Sequence, residues 1–247
     1  MATKAQWRSD NRRSMINSKY PLTSLSLIIP AYNDETTVGK LISDSEKVLQ
    51  KFCPDYEIIV TNDGSKDGTL AVLKNCAEEN PRIRIINHEV NQGYGATIRE
   101  LYRSGSKDLI FSLPGDYQYA PKELLVMSQG LRNHDFVIGL RLHRSDPWRR
   151  KLQSHVYNLM LRMIYGHRHK DVNSIKLFRR SILERVDLHS QSAFVDAELC
   201  IRAEKRGYKV VEIPIEHLPR LSQGASGGKI SVISQTFKDL VMMRSSF

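Results

Sequence analysis

Four short stretches carry residue types at spacings that could do chemistry. In SLPGDYQYAP (112–121) a carboxylate, Asp116, is followed two residues on by an amide, Gln118, with Pro114 and Gly115 turning the chain before them. Oxygen donors of this kind suit Mg²⁺, which proteins often hold by one or two carboxylates while phosphate oxygens and water complete the shell. An Asp in a Pro-Gly turn is otherwise a solvated turn residue, and the stretch alone leaves both readings open. In TNDGSKDGT (61–69), Asp63 at a strand end can accept a hydrogen bond from a base imide or amide N–H. Gly64 would relieve the turn and Ser65 cap the next helix; the plain alternative is an Asx turn with a cap. PAYNDE (30–35) offers Tyr32 to lie against a base, with backbone groups at Pro30 and Ala31. FVDAEL (194–199) sets Asp196 and Glu198 near a helix start, Asp196 as an N-cap or either acid as a general base for a hydroxyl acceptor.

The elements that must position these stretches follow from apolar patterning. SLSLIIP (24–30), YEIIVTN (56–62), RIRIIN (82–87), DLIFSL (108–113), DFVIGL (135–140) and YKVVEIPI (208–215) read as strands. The first four are nearly continuous in apolar character, as parallel strands buried on both faces require. Helices are expected over 36–51, 67–79, 94–105, 121–132, 148–165, 195–206 and 230–243. This alternation predicts one α/β domain, a mostly parallel, doubly wound sheet with right-handed crossovers. Ligands of such sheets lie beyond the carboxyl ends of the strands. The stretches above occupy that edge, together with NQGYGA (91–96), whose Gly93 and Gly95 either approach a ligand or turn the backbone into a helix.

Several classes are disfavoured. NQGYGATIRE lacks the third glycine of a dinucleotide fingerprint, since Ile98 stands there, and no phosphate-loop motif occurs. Lys and Arg outnumber Asp and Glu 37 to 27, a net charge of +10 over 247 residues, which suits an anionic partner. No nucleic-acid-binding motif accompanies that charge. Cys53, Cys76 and Cys200 match no metal spacing and read as buried free thiols of a reducing compartment. No apolar run approaches the ~18–20 residues of a membrane span. The first 23 residues are expected to be a basic arm without the apolar segment of a secretory signal. These features place the chain in the cytoplasm or at the cytoplasmic face of a membrane.

Two helical segments bear on that face. Within 148–170, cations at Arg149, Arg150, Lys151, Arg168 and Lys170 bound an apolar stripe of Leu152, Val156, Leu159, Met160 and Met163. That pattern suits a helix lying at a lipid surface. Ile230, Ile233, Phe237, Leu240 and Val241 give the last segment an amphipathic face for a lipid, the domain or an oligomer partner. GHRHK (166–170) reads as a solvated basic loop rather than a His-x-His metal pair.

SLIIPAYNDE, EIIVTNDGSKDGT, NQGYGA, VIGLR, DVNSIKLFRR and FVDAELCIRAEKRGYKVVEIPIEHLPR stand in the order seen in glycosyltransferase family 2. The chain resembles that family over 24–228, and within it the polyprenyl-phosphate sugar synthases of the dolichol-phosphate mannose synthase type. The resemblance implies a single Rossmann-like GT-A domain over 24–228, and the helical spacing above adds a C-terminal amphipathic helix over 229–247. It also implies an inverting, hexosyltransferase-type enzyme using a UDP- or GDP-linked sugar. Pro30, Ala31, Tyr32, Asp34 and Gly93 would flank the nucleotide and Asp63 read its base. Asp116 and Gln118 would ligate Mg²⁺ or Mn²⁺, Arg141 would serve the reacting groups, and Arg220 would lie near the acceptor phosphate.

Three positions depart from the family pattern. Pro114 replaces the first acid of D-x-D, which weakens the metal site, and Arg141, Arg149, Arg150, Lys176 or Arg220 would supply missing positive charge. Leu140 and Ile175 replace small residues, which would narrow the donor or acceptor pocket. The leading expectation is transfer to a polyprenyl phosphate at the cytoplasmic membrane face. The alternatives are a soluble enzyme for a hydroxyl acceptor, with Asp196 or Glu198 as base, and a non-catalytic nucleotide-sugar-binding partner.

Overall fold

The computed structural model describes residues 22–142, 148–219 and 230–246; Arg220 and nearly all of the basic arm lie outside them. One sheet contains β1 (Ser24–Ala31), β2 (Asp55–Asp63), β3 (Ile83–His88), β4 (Leu109–Ser112), β5 (Phe136–Leu142), β6 (Lys176–Arg179) and β7 (Val210–Glu216). Their order is β3-β2-β1-β4-β6-β5-β7. β1 pairs in parallel with β2 and β4, β2 with β3, and β5 with β7. β6 runs antiparallel between β4 and β5.

The helices are α1 (Val38–Phe52), α2 (Thr69–Glu79), α3 (Tyr94–Ser104), α4 (Glu123–Ser128) with a 3₁₀ turn over Gln129–Arg132, α5 (Trp148–Tyr165), α6 (Val195–Lys205) and α7 (Ile230–Met242). Each expected helix and strand is present within a few residues of its expected ends. β6 was not foreseen. Its four residues, KLFR, are too short to show a period, and three of them are buried whatever face they point to.

Alternation along β1 explains the two cores. Leu27 and Ile29 enter one cluster with Leu41, Ile42, Leu49 and Leu73 of α1 and α2. Ile28 enters the other with Ile98, Leu101 and Tyr102 of α3 and Leu199 of α6. Side chains of a strand alternate faces, so a strand apolar at every position needs cover on both. α1 gives that cover from one stripe, Val38, Leu41, Ile42, Ser45 and Leu49, at helical spacing. Ile175 joins the first core, and a Cβ on Gly139 would stand 3.0 Å from it. It therefore fills space opened by a glycine in the core, correcting the expectation that it narrows a pocket.

A third cluster holds Tyr157 and Leu161 of α5, Phe194 and Ile201 beside and on α6, and Leu240 of α7. The Tyr165 hydroxyl donates to the Leu240 carbonyl at 2.6 Å, and Tyr157 meets Phe237 edge-on at 6.2 Å. Thus α7 packs against α5 through Phe237 and Leu240. On the other side of α5, Val156, Leu159 and Met163 are exposed, as are Val241 and Met242 of α7. Among the described residues no helix is long and apolar enough to cross a membrane. The GHRHK segment is not the expected solvated loop: His167 is buried and its Nδ1 lies 2.7 Å from Glu204 of α6. Cys53 and Cys200 are buried as expected, whereas Cys76 is only half-buried.

On the second face Phe178 of β6 stacks on Phe136 with centroids 5.0 Å apart and takes the edge of Tyr102 at 5.6 Å. Truncating it leaves a cavity between three elements. Phe178→Ala is expected to cost about 3–5 kcal/mol, measured as a lower urea midpoint at unchanged denaturant slope.

Candidate active site

Parallel register brings the ends of β1, β2 and β3 to one edge: Ala31 pairs with Asn62 and Asp63 with His88. Asp63 Oδ1 accepts the Gln92 N–H at 2.8 Å and lies 2.8 Å from His88 Nδ1, while Oδ2 accepts the Gly93 N–H at 3.0 Å. Its carbonyl accepts from the Asn91 amide at 3.0 Å. The acid expected to read a base is therefore also the hub that shapes the 91–93 turn, a task no sequence signal announced. Gly64 allows this closeness, with φ at +64° and room for no Cβ, which would sit 2.4 Å from the Asn91 nitrogen. Ser65 does not cap α2. That helix begins at Thr69, whose N–H donates to Asp67 at 3.0 Å, and the Ser65 hydroxyl instead accepts the Asn33 N–H at 3.0 Å.

The loops after β1 and β4 are joined. The Leu113 N–H donates to the Ile28 carbonyl and the Gly115 N–H to the Pro30 carbonyl, extending the pairing past the strand ends. The Pro30 carbonyl, expected to face a ligand, thus ties the two loops together. The Thr37 hydroxyl donates to the Gly115 carbonyl at 2.8 Å. Asp34 is buried, its Oδ2 accepting the Tyr32 N–H at 3.1 Å. A Cβ at position 115 would stand 2.8 Å from that Oδ2, so glycine lets the Asp34 carboxylate lie against the chain beside Asp116. Asp116 is buried to 6% exposure and its Oδ1 accepts the Gln118 N–H at 3.1 Å. Tyr117 between them takes a φ of 56° and anchors by its hydroxyl to Asp44 on α1 at 2.6 Å. Gln118 also accepts the Leu218 N–H on its carbonyl at 2.8 Å, drawing the segment before residue 220 towards the site.

Arg141 at the end of β5 is gripped by Asp171: its backbone N–H and its Nε donate to Oδ2 at 3.0 and 2.8 Å, and its Nη2 donates to Oδ1. Both ends of Asp171 are held in turn, because its N–H donates to Glu212 of β7 at 2.9 Å. The buried Tyr119 hydroxyl is pushed up to about 12 by desolvation, an effect that Arg141 partly offsets.

The acids of FVDAEL lie deeper than expected. Asp196 is 1% exposed; Oδ1 accepts the Tyr102 hydroxyl at 2.9 Å and pairs with Lys176 Nζ at 2.9 Å, while Oδ2 accepts the Tyr94 hydroxyl at 2.7 Å. Glu198 is wholly buried and accepts the N–H groups of His189 and Ser190 at 2.9–3.1 Å and the Arg202 Nε at 2.9 Å. Asp196 is not the N-cap: α6 is entered through Phe194 with no side-chain cap. Lys176, expected to add positive charge near the ligand, is spent on Asp196 and on the Ser174 carbonyl at 2.8 Å.

The structure therefore gathers Tyr32, Asp34, Asp116 and Gln118 on two linked loops and Asp63 and Gly93 on a neighbouring turn. It sets Arg141 on Asp171 across the site, and buries Asp196 and Glu198 beneath it. Tyr94, Tyr102 and Asp171 are supports to which sequence reading gave no role, and Lys176 was expected as a cation for the ligand rather than as the partner of Asp196. Tyr94 lies inside NQGYGA, and Asp171 and Lys176 inside DVNSIKLFRR, whereas no signal marked Tyr102.

A family model described as Glycosyl transferase family 2 matches residues 26–187. The chain is similar to the undecaprenyl-phosphate 4-deoxy-4-formamido-L-arabinose transferase of Enterobacter sp. (strain 638), at 29% identity over 201 residues, 79% of this chain and 60% of the relative. Its counterpart in Yersinia enterocolitica serotype O:8 is 30% identical over 204 residues, 81% of this chain and 61% of the relative. The chain thus spans about three-fifths of the length of these relatives. Among solved structures, glucosyl-3-phosphoglycerate synthase from Mycobacterium tuberculosis, in complex with Mn²⁺, UDP-glucose and phosphoglyceric acid, superposes with a TM-score of 0.71 at 15% identity. That match covers 100% of this chain and 85% of the other. The mannosyltransferase PcManGT from Pyrobaculum calidifontis, in complex with GDP-Man and Mn²⁺, gives 0.65 at 14% identity, covering 96% and 71%. These likenesses establish the expected GT-A fold.

His88 faces a carboxylate on each ring nitrogen, Asp63 at 2.8 Å and Glu100 at 2.8 Å. Burial opposes its charge, but the two acids outweigh burial and raise the imidazole above its ordinary 6.5. A raised folded pKa stabilises below the unfolded value and is lost as pH rises through the folded one. Unfolding free energy is therefore expected to fall as pH climbs from about 6.5 through the raised value. His88→Gln should flatten that slope in urea titrations across the same range.

Proposed function

Given that the chain belongs to glycosyl transferase family 2, we propose that it moves a sugar from a nucleotide diphosphate sugar to a polyprenyl phosphate, inverting the anomeric centre. The observation that carries this reading is the state of the two acids placed to act as base. Every oxygen of Asp196 and Glu198 already accepts hydrogen bonds or pairs with a cation, at 1% exposure or less. A hydroxyl acceptor needs such a base to take its proton. A phosphate acceptor is already ionised at neutral pH and needs none. Relatives named as undecaprenyl-phosphate sugar transferases support the same acceptor class.

In this mechanism an acceptor phosphate oxygen attacks the anomeric carbon as the bond to the nucleotide diphosphate breaks on the opposite side, with no proton transferred. Tyr32 lies against the base and Asp63 receives its N–H, on the edge that also holds Gly93 and Ala31. Arg141, whose fork is fixed by Asp171, presents an oriented cation to phosphate oxygens. Arg220 follows the segment that Gln118 holds, and acts on the acceptor phosphate. The residues present fit a divalent cation: Asp116, Gln118 and the Asp34 carboxylate admitted by Gly115 offer oxygens on linked loops. Bound there, Mg²⁺ or Mn²⁺ supplies positive charge to the diphosphate leaving group. Asp34 thereby offsets the acid missing at Pro114.

The exposed apolar residues of α5 and α7, Val156, Leu159, Met163, Val241 and Met242, support peripheral docking at a lipid surface where the acceptor resides. Three free cysteines suit the reducing, cytoplasmic side.

The decisive experiment offers a panel of UDP- and GDP-sugars with polyprenyl phosphate in vesicles and Mn²⁺, scoring lipid-linked product by mass spectrometry. Lipid-linked sugar is the expected result. Turnover confined to soluble hydroxyl acceptors, or tight nucleotide binding with no turnover, would overturn it. Asp116→Asn should lower kcat/KM by at least about 10²-fold. Asp196→Asn is expected to lower the rate through packing while leaving the shape of the pH–rate profile unchanged, because no proton passes through that carboxylate. Loss of an ascending limb in that variant would restore Asp196 as a base.

A further inference from the structure

His167 follows α5 and enters the protein, whereas the turn that carries it begins at an exposed glycine, Gly166. It meets α6, where Cys200 and Glu204 are four residues apart and so share one helical face. One ligand atom from each of His167, Cys200 and Glu204 lies within 4.8 Å of the others. His167 and Cys200 are buried and Glu204 is partly so. His169 closes the group, its Nε2 being 2.9 Å from the second Glu204 oxygen, with its ring centroid 5.2 Å from that of His167.

Two features of this cluster are unexplained by packing alone. His167 is 3% exposed, yet its Nε2 has no hydrogen-bond partner. Native proteins rarely leave a buried polar atom orphaned unless a water or ion takes it. Cys200 is a free thiol with no exposure at all, a member of the second core cluster whose sulfur nonetheless lies within 4.8 Å of a ligand atom of both His167 and Glu204.

We propose that His167, Cys200 and Glu204, with His169 as fourth donor, form a structural site for a divalent transition metal of the zinc class. Sulfur, imidazole nitrogen and carboxylate oxygen are the donor types zinc takes, at about 2.0–2.3 Å in tetrahedral array. Donors so arranged stand about 3.3–3.8 Å apart, so the cluster needs to contract by ~1 Å. On binding, the Cys200 thiol gives its proton to solvent and becomes the thiolate ligand. The site uses none of the residues assigned to the donor sugar. Its consequence reaches them nonetheless, because His169 stands two residues before Asp171, the partner of Arg141. Glu212 accepts the N–H groups of Lys170 and Asp171 on the same segment, at 2.6 and 2.9 Å. A metal here pins the 166–171 segment to α6 and braces the grip on Arg141.

The test uses the full chain stripped with chelator, then dialysed against a small excess of Zn²⁺ and analysed for retained metal. About one equivalent of zinc is expected, with a higher thermal midpoint than the stripped protein. Cobalt(II) in place of zinc should give a thiolate-to-metal charge-transfer band in the near ultraviolet. Cys200→Ser and His167→Gln should each lose the retained equivalent, whereas Asp116→Ala should keep it, separating this site from the one proposed for the donor. No retained zinc, or zinc retained unchanged in Cys200→Ser, would overturn the proposal. Should the variants fail to fold, absence of the cobalt–thiolate band in the unaltered chain overturns it alone.

Discussion

Lys176 and Asp196 meet at 2.9 Å with almost no exposure, and charges buried so deeply persist only when every remaining polar atom is satisfied. Here Lys176 also donates to the Ser174 carbonyl, and Asp196 accepts two tyrosine hydroxyls. Each partner comes from a different element, β6, α6 and α3, so the ion pair locks together the part of the fold that chain order leaves far apart. Removing one member would strand the other charge, at a cost of about 3–5 kcal/mol. The pair also ties β6, antiparallel between β4 and β5, to α6.

The same logic recurs at the edge of the sheet. Asp63 gathers two backbone N–H groups and an imidazole, Glu198 two N–H groups and a guanidinium, and Asp171 a guanidinium and a backbone N–H. In each case a carboxylate replaces the regular secondary structure that a loop lacks, supplying acceptors for donors that would otherwise be orphaned. Loops at that edge are thereby held in shape by buried carboxylates rather than by ladder hydrogen bonds. Acids that look catalytic by type are here enclosed by donors that they hold in place.

A division of labour follows across the molecule. The parallel half, β3-β2-β1-β4, delivers the loops that carry Asp34, Asp63 and Asp116, while the mixed half, β6-β5-β7, delivers Arg141 and its support. α5 and α7 pack on α6 through Tyr157, Leu161 and Leu240 and turn Val156, Leu159 and Met163 outward. The helix that feeds the third core cluster thus also carries the exposed apolar face proposed for lipid.

Much was legible in the residues themselves. Apolar runs long enough to bury both faces specified the parallel strands, and the positions just beyond them marked the edge where Asp63, Asp116 and Gln118 gather, because both signals depend on neighbours along the chain. The buried acids were legible as acids but not as enclosed ones. Asp196 at a helix start reads alike whether its carboxylate meets solvent or two tyrosines and a lysine, and those partners lie 20 to 102 residues away. β6, the Asp171–Arg141 grip and the His167–Glu204 contact were hidden for the same reason. Short-range pattern records which face of an element is apolar; tertiary packing alone decides which distant polar group meets which, since that pairing is set by where the sheet brings the chain back.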